Sequence, residues 1–337
     1  MSTTMTAVRQ DEFGGPEVLH AERVPVPTPA AGEVLIAVHA VGVNPPDWYL
    51  RAGMPDVPAH LRPSMELPLT LGTDVSGVVA AVADDVTGFA VGDEVLGLLR
   101  FPEPMAAGAY AEYVTAPVGD LARKPAGLDH AHAAALPMAG LTAWQFLVEV
   151  GHDHPSPFQE ARHAPVPLGR GTTVVVNGAA GGVGHLAVQL AVWRGARVVA
   201  IASGRHEAFL RGLGAEFVDY TAGRPEEAVS DADLVLDLVG GPTSGRFLRT
   251  LRRGGALFPV YVAEYDPDEV AAAGVTVSAT QVRADGAQLT RLAGLLDEGV
   301  LRVALDSTFP LTEAAAAHER AAAGHLQGKI VLTVEER

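Results

Sequence analysis

The rhythm of apolar and polar positions changes near residue 125. Before that point the apolar residues come in short strand-like blocks, at residues 33–41, 75–83 and 109–115, with a turn at Gly92-Asp93-Glu94. No helical spacing is sustained there, so this half reads as an irregular β-barrel or sandwich. Residues 129–149 carry apolar positions at helical spacing, interrupted by Pro137 and Gly140. A polar stretch rich in proline and histidine follows at residues 151–171. A βαβ rhythm then sets in: strands at 172–176, 197–202, 216–219, 234–239, 256–260 and 275–279, with helices at 183–194 and 207–213. These six strands predict one parallel sheet. Helices at 287–298 and 312–323 and a strand at 329–334 close the chain.

The chain has 337 residues, which suggests two domains, because single cores rarely grow beyond about 250–300 residues. The formal net charge of −16 disfavours nucleic acid and anionic membranes as main partners. A phosphorylated ligand then needs a local cluster of donors. The sequence contains no cysteine, so disulfides, thiolate nucleophiles and cysteine zinc sites are excluded. Residues 1–11 lack an apolar signal core, and no apolar run is long enough to span a bilayer, so a cytoplasmic location is expected.

Residues 172–184 run from an apolar strand through a glycine-rich turn into a helix. This is the context of a dinucleotide fingerprint: a tight turn, a backbone close to a pyrophosphate, and a helix N-terminus aimed at the anion. Ala179, Gly181 and Gly184 fill the three fingerprint positions, and Ala180, Gly182 and Val183 complete the loop. About 20 residues on, where an NAD site places an acid, the second strand ends without one. Ser203, Arg205 and His206 offer donors there instead, which favours the 2′-phosphate of NADPH. The alternative is that Arg205 opens a solvated helix.

Residues 42–53, 71–77, 91–95, 135–144 and 324–332 together resemble, in order and spacing, the quinone oxidoreductase branch of the medium-chain dehydrogenases/reductases. The resemblance spans nearly the whole chain. It implies an α/β architecture: a GroES-like β-barrel catalytic domain (1–125 and 285–337) and a Rossmann domain with a doubly wound parallel sheet that binds NADPH (126–284). It also implies an active site between them and a homodimer. Zinc alcohol dehydrogenases of the same superfamily carry ligands where this chain has Asn44, Thr73 and the Ala139/Gly140 region, so no metal is expected. His152, His154 and His163 read as a solvated loop rather than a metal cluster. Without a Lewis acid, an electron-poor quinone or enone is the natural acceptor.

By the same resemblance Tyr49 lines the substrate cleft, where its phenol can donate to the oxygen that gains charge as hydride arrives; a packed barrel tyrosine is the alternative. Asn44 and Asp47 on the same loop orient the nicotinamide or ribose. Thr142 reaches the nicotinamide end, unless it is a structural helix threonine. Tyr220 borders the adenosine phosphate, and Lys329 lies near the cofactor or on the surface. Val239 and Gly240, with Val260 and Tyr261, end the fourth and fifth strands, where ligands lie on such a sheet. A 2-enoyl thioester reductase and an NADPH-binding protein with little turnover are the competing readings. Residues 151–171 exceed the usual connection and could form a lid or a partner loop.

Overall fold

The computed structural model describes residues 3–55, 57, 60, 62, 64–103, 106–156 and 161–335. The barrel half comprises β1 (Thr4–Gln10), β2 (His20–Pro25), β3 (Glu33–Val43), α1 (Pro45–Arg51), β4 (Leu69–Thr70), β5 (Asp74–Val82), β6 (Glu94–Leu98), β7 (Tyr113–Pro117) and β8 (Leu121–Arg123). Next come α2 (His130–Ala134) and α3 (Pro137–Leu147), then β9 (Thr173–Asn177), α4 (Gly182–Trp193), β10 (Arg197–Ala202), α5 (Glu207–Gly212), β11 (Glu216–Asp219), β12 (Ala232–Asp237), β13 (Leu251–Pro259), α6 (Pro267–Ala273) and β14 (Thr276–Val277). The chain finishes with α7 (Gly286–Asp297), β15 (Leu305–Pro310), α8 (Ala314–Ala322) and β16 (Lys329–Thr333).

The expected parallel sheet is present, in the order β11-β10-β9-β12-β13-β14. Its strand order reverses at β9, as in the doubly wound dinucleotide-binding sheet. Apolar runs suit these strands because both faces are covered. Val174 and Val176 pack with residues of α3 and α4, while Val175 faces the opposite layer with Phe247 and Leu248. In the barrel half, a mainly antiparallel sheet runs β15-β16-β3-β5-β6-β8, with β7 also on β3, beside a small sheet β2-β1-β4. Strands β15 and β16 lie beyond the Rossmann sequence yet join this sheet, through Ile330 opposite Val43 and Val331 opposite Gly42.

Two local expectations are corrected. Residues 45–51 form a helix rather than a loop. It is too short for apolar periodicity, but it carries start signals: Asn44 at the cap, Pro45 in the first turn, and Asp47 reaching back to the Asn44 N–H at 2.8 Å. The β1–β2 pair, strands β6 and β8, and β15 were not expected; β2 is largely exposed, β15 is largely half-buried, and neither has an apolar face to signal it.

Residues 157–160 of the 151–171 segment lie outside the described residues. The part from His163 to Leu168 is anchored at three residues. His163 is buried, its ring nitrogens 3.1 Å from Ser278 Oγ and 3.1 Å from the Phe146 carbonyl, and its ring meets Phe258 edge-on. Val166 and Leu168 pack on the same core. His163 is thus a core residue, and no group of three or more potential ligands is arranged to hold a metal among the described residues.

Candidate active site

Strand β9 ends at Asn177, whose amide donates to Asp237 Oδ1 at 2.8 Å and ties β9 to β12. The chain turns at Gly178 (φ +81°) and enters α4. A Cβ on Gly184 would lie 2.3 Å from the Gly178 carbonyl, so only glycine lets the helix approach the turn so closely. At Gly181 a Cβ would meet nothing nearer than 3.6 Å, which leaves open space on the ligand side. The first N–H groups of α4 have no intrahelical acceptor. The loop therefore fits a dinucleotide pyrophosphate. It is braced from behind: His185 accepts from the Ala304 N–H at 3.1 Å through Nε2, so its Nδ1–H donates to the Gly181 carbonyl at 2.9 Å. Burial holds this imidazole neutral, with its pKa lowered to about 4.

The tail strand touches the same loop. The Gly328 N–H donates to the Ala180 carbonyl at 2.8 Å, and a Cβ on Gly182 would lie 2.7 Å from Lys329 Cδ. The Lys329 stem thus crosses the helix start, and its ammonium enters the barrel. There it donates to the Val43 carbonyl at 2.9 Å, contacts Asn44 Oδ1, and faces Asp74 Oδ2 at 3.5 Å. Asn44 Nδ2 donates to Asp74 Oδ2 at 2.9 Å, and Asp74 Oδ1 accepts the Met138 N–H at the start of α3 at 2.8 Å. Burial raises the Asp74 pKa and lowers that of Lys329. The structure brings Asn44 and Lys329 together, while Asp47 joins them through the Asn44 backbone.

Behind Asp47 runs a buried ladder that sequence reasoning missed. Arg51 Nη1 donates to His318 Nδ1 at 2.8 Å; a guanidinium cannot accept, so this nitrogen must be the acceptor. His318 Nε2–H then faces Tyr110 Oη at 3.0 Å, and the phenol donates to Asp47 Oδ2 at 3.3 Å. Burial and the neighbouring Arg51 lower His318 to about 3, and burial raises Asp47 to about 7. Asp47 Oδ1 has no hydrogen-bond partner among the described residues. The signal in the sequence was faint: Asp74 borders one strand-like apolar block and Tyr110 lies inside another, and polar groups are buried only with partners.

Other expected residues fare differently. Tyr49 of α1 stacks on Tyr261 just past β13, with centroids 5.6 Å apart. The Thr142 hydroxyl donates to the Met138 carbonyl at 2.7 Å and is spent within its own helix as a donor. Of the three donors after β10, Arg205 Nε lies 3.4 Å from Ser203 Oγ, whereas His206 is buried with Nδ1 3.2 Å from Gln327 Oε1. Asp219 was overlooked: it ends the neighbouring strand opposite Ala202, and a Cβ on Gly204 would lie 2.6 Å from its Oδ2. Tyr220 and Val239 are exposed at the same sheet edge, and Val260 is half-buried there. A polar groove of about 720 Å³ opens beyond Tyr220, between Arg224 and Arg246.

Comparison with known proteins agrees with this geometry. Residues 30–126 match the alcohol dehydrogenase GroES-like domain, and residues 213–332 match a model described as zinc-binding dehydrogenase. The chain is 34% identical to the mitochondrial NAD(P)H oxidoreductase RTN4IP1 of Mus musculus, over 99% of this chain and 90% of that protein. It is 31% identical to the quinone oxidoreductase of Mus musculus, over 94% and 93%. Among solved structures, the quinone oxidoreductase from Coxiella burnetii superposes with a TM-score of 0.85 at 33% identity, covering 98% of this chain and 100% of the other. Mycobacterial Rv1454c complexed with NADPH gives 0.80 at 32%, covering 98% and 100%. The barrel, the doubly wound sheet and the glycine loop docked against the tail are thus those of the quinone oxidoreductase family of medium-chain dehydrogenases/reductases, to which this chain belongs.

Proposed function

We propose that this NAD(P)H oxidoreductase transfers hydride from NADPH to a quinone or an α,β-unsaturated carbonyl without a metal ion. The observation that carries the reading is the convergence of the α4 start, Lys329 and Asn44 at one place, with Tyr49 on the short helix that Asn44 caps. The glycine loop and Lys329 hold the cofactor, and the bound nicotinamide supplies the hydride. Tyr49 donates a hydrogen bond to the carbonyl oxygen that gains charge. Asn44, fixed by Asp74, Lys329 and the Gly42 carbonyl, holds the loop at the nicotinamide end. Where zinc relatives place ligands, Asn44 is already committed to these partners and Thr73 is a buried hydroxyl. The reading includes a homodimer in the cytoplasm.

The test is NADPH oxidation against a panel of quinones, enones and enoyl thioesters. Turnover of quinones and enones supports the proposal. Preference for thioesters points to the enoyl thioester reductase reading, and tight NADPH binding with no turnover points to a binding protein. Tyr49→Phe should lower enone reduction more than quinone reduction, because a quinone needs less help in accepting hydride, and should leave NADPH affinity within a fewfold.

A further inference from the structure

Tyr49 belongs to the barrel half and Tyr261 follows the fifth strand of the parallel sheet. Their rings face each other with centroids 5.6 Å apart and planes 24° from parallel. Tyr261 is 43% exposed, so the core does not hold its ring. Its backbone, however, is fixed. Gly240 has φ +67°, and a Cβ there would lie 2.6 Å from the Val262 carbonyl and 3.2 Å from Tyr261 Cδ1. Only glycine fits that approach. The Gly241 N–H donates to the Val262 carbonyl at 2.8 Å, and the Glu264 N–H donates to the Gly241 carbonyl at 3.0 Å. The segment after β13 is thus zipped to the segment after β12. Tyr49 sits on a seven-residue helix with Trp48 packed edge-on to it at 5.9 Å. One ring thus comes from the barrel half and the other from the end of a parallel strand, the sheet edge where ligands lie in such folds.

From this geometry we infer that Tyr49 and Tyr261 form a two-ring clamp for a flat, conjugated acceptor, and that Tyr261 is a specificity-determining residue favouring planar over puckered substrates. The inference rests on the hydride-transfer reading above and names its substrate class. Admitting one flat ring requires roughly 7–8 Å between the outer rings, from two contacts of carbon on carbon. A flat ring therefore enters only if the two rings move apart by about one ring thickness, roughly 3.5 Å, a displacement within the range of hinge or shear motion between packed domains. A puckered aliphatic enone is thicker and gains no second aromatic face. An aromatic pair is worth about 0.5–1.5 kcal/mol, which sets the expected discrimination at roughly two- to tenfold.

The experiment uses the full chain saturated with cofactor. Dissociation constants are measured for 2-naphthol, which is flat and accepts no hydride. Michaelis constants are measured for 1,4-naphthoquinone and 2-cyclohexenone. Parent, Tyr261→Phe and Tyr261→Leu are compared. Tyr261→Leu should weaken 2-naphthol and raise the naphthoquinone KM by two- to tenfold, with cyclohexenone and NADPH affinity within twofold, while Tyr261→Phe keeps the parent values. An equal change for both acceptors, or no change, overturns the clamp. Loss of NADPH affinity also overturns it, because the slot then holds the nicotinamide. If the parent reduces neither acceptor, the hydride-transfer reading fails, and the naphthol titration still decides whether the two rings grip a flat ligand.

Discussion

Lys329 on the last strand and Asp74 on the fifth strand of the chain face each other at 3.5 Å with side chains 5% and 0% exposed. A charge buried this deeply is tolerated only with its partners in place. Removing one partner of a buried pair typically destabilises by about 3–5 kcal/mol, because the other is left uncompensated. Lys329→Met should therefore lower unfolding free energy by about that much, read by urea denaturation. Asp74→Asn combined with Lys329→Met should restore a large part of it. A single-variant loss below about 1 kcal/mol would show that Asp74 simply takes up a proton.

The proposed cofactor choice is tested at exposed Arg205 and half-buried Asp219. Charge-assisted hydrogen bonds contribute roughly 1.5–3 kcal/mol, so Arg205→Ala should weaken NADPH about ten- to a hundredfold and leave NADH nearly unchanged. Asp219 lies beside Gly204, next to the donors proposed for a 2′-phosphate, and its negative charge would oppose that phosphate. Asp219→Asn should then tighten NADPH a fewfold. If the parent uses NADH and NADPH with equal efficiency, the preference for NADPH is wrong and Asp219 becomes the candidate partner of a ribose hydroxyl.

The ladder gives stability an acid dependence with two opposing parts. His318 is lowered from 6.5 to about 3, so between those values only the unfolded imidazole takes a proton. Its contribution is present above pH 6.5 and is lost as pH falls toward 3. Asp47 is raised from 3.8 to about 7, so between those values the folded carboxyl holds the extra proton. Its effect has the opposite sign: stability grows as pH falls from about 7 toward 4. His318→Gln should flatten the acid loss and Asp47→Asn should steepen it. Urea midpoints between pH 4.5 and 7.5 measure both slopes, and parallel slopes in all three proteins would refute the assignment.

Metal independence is tested by removal. Prolonged chelation should leave turnover unchanged, and elemental analysis should find no stoichiometric zinc. Loss of activity that zinc restores would send the search to His152, His154 and His163.

Long-range order was legible because it rests on repeated pattern. The central strands β9, β10 and β12 announce themselves as apolar runs, since both faces are covered, and the glycine loop declares its own turn. Helix α1 was not legible as a helix, because seven residues span fewer than two turns, too few for an apolar repeat to stand out. The network around Asp47 was hidden for a different reason. Arg51, Tyr110 and His318 are far apart in sequence, and each alone reads as an ordinary barrel or helix residue. Only the fold shows that they line up, and only the donor-only guanidinium shows which way the hydrogen bonds point. His206 illustrates the converse: its position suited a phosphate donor, but the tail segment at Gln327 claims it.

The pairing of β3 with β16 has a further consequence, for the nascent chain. Along one edge of β3, the Glu33–Ala37 portion meets β7 soon after synthesis, whereas Ala40–Val43 waits for Ile330–Thr333. At about 5–20 residues per second, that edge stays open for on the order of ten to sixty seconds on the ribosome. An unpaired apolar strand edge is a template for pairing with another chain. Crowded expression should therefore lose this protein to aggregation before its last strand emerges, and slower initiation or an early-acting chaperone should raise the soluble yield more than any change made within the parallel sheet.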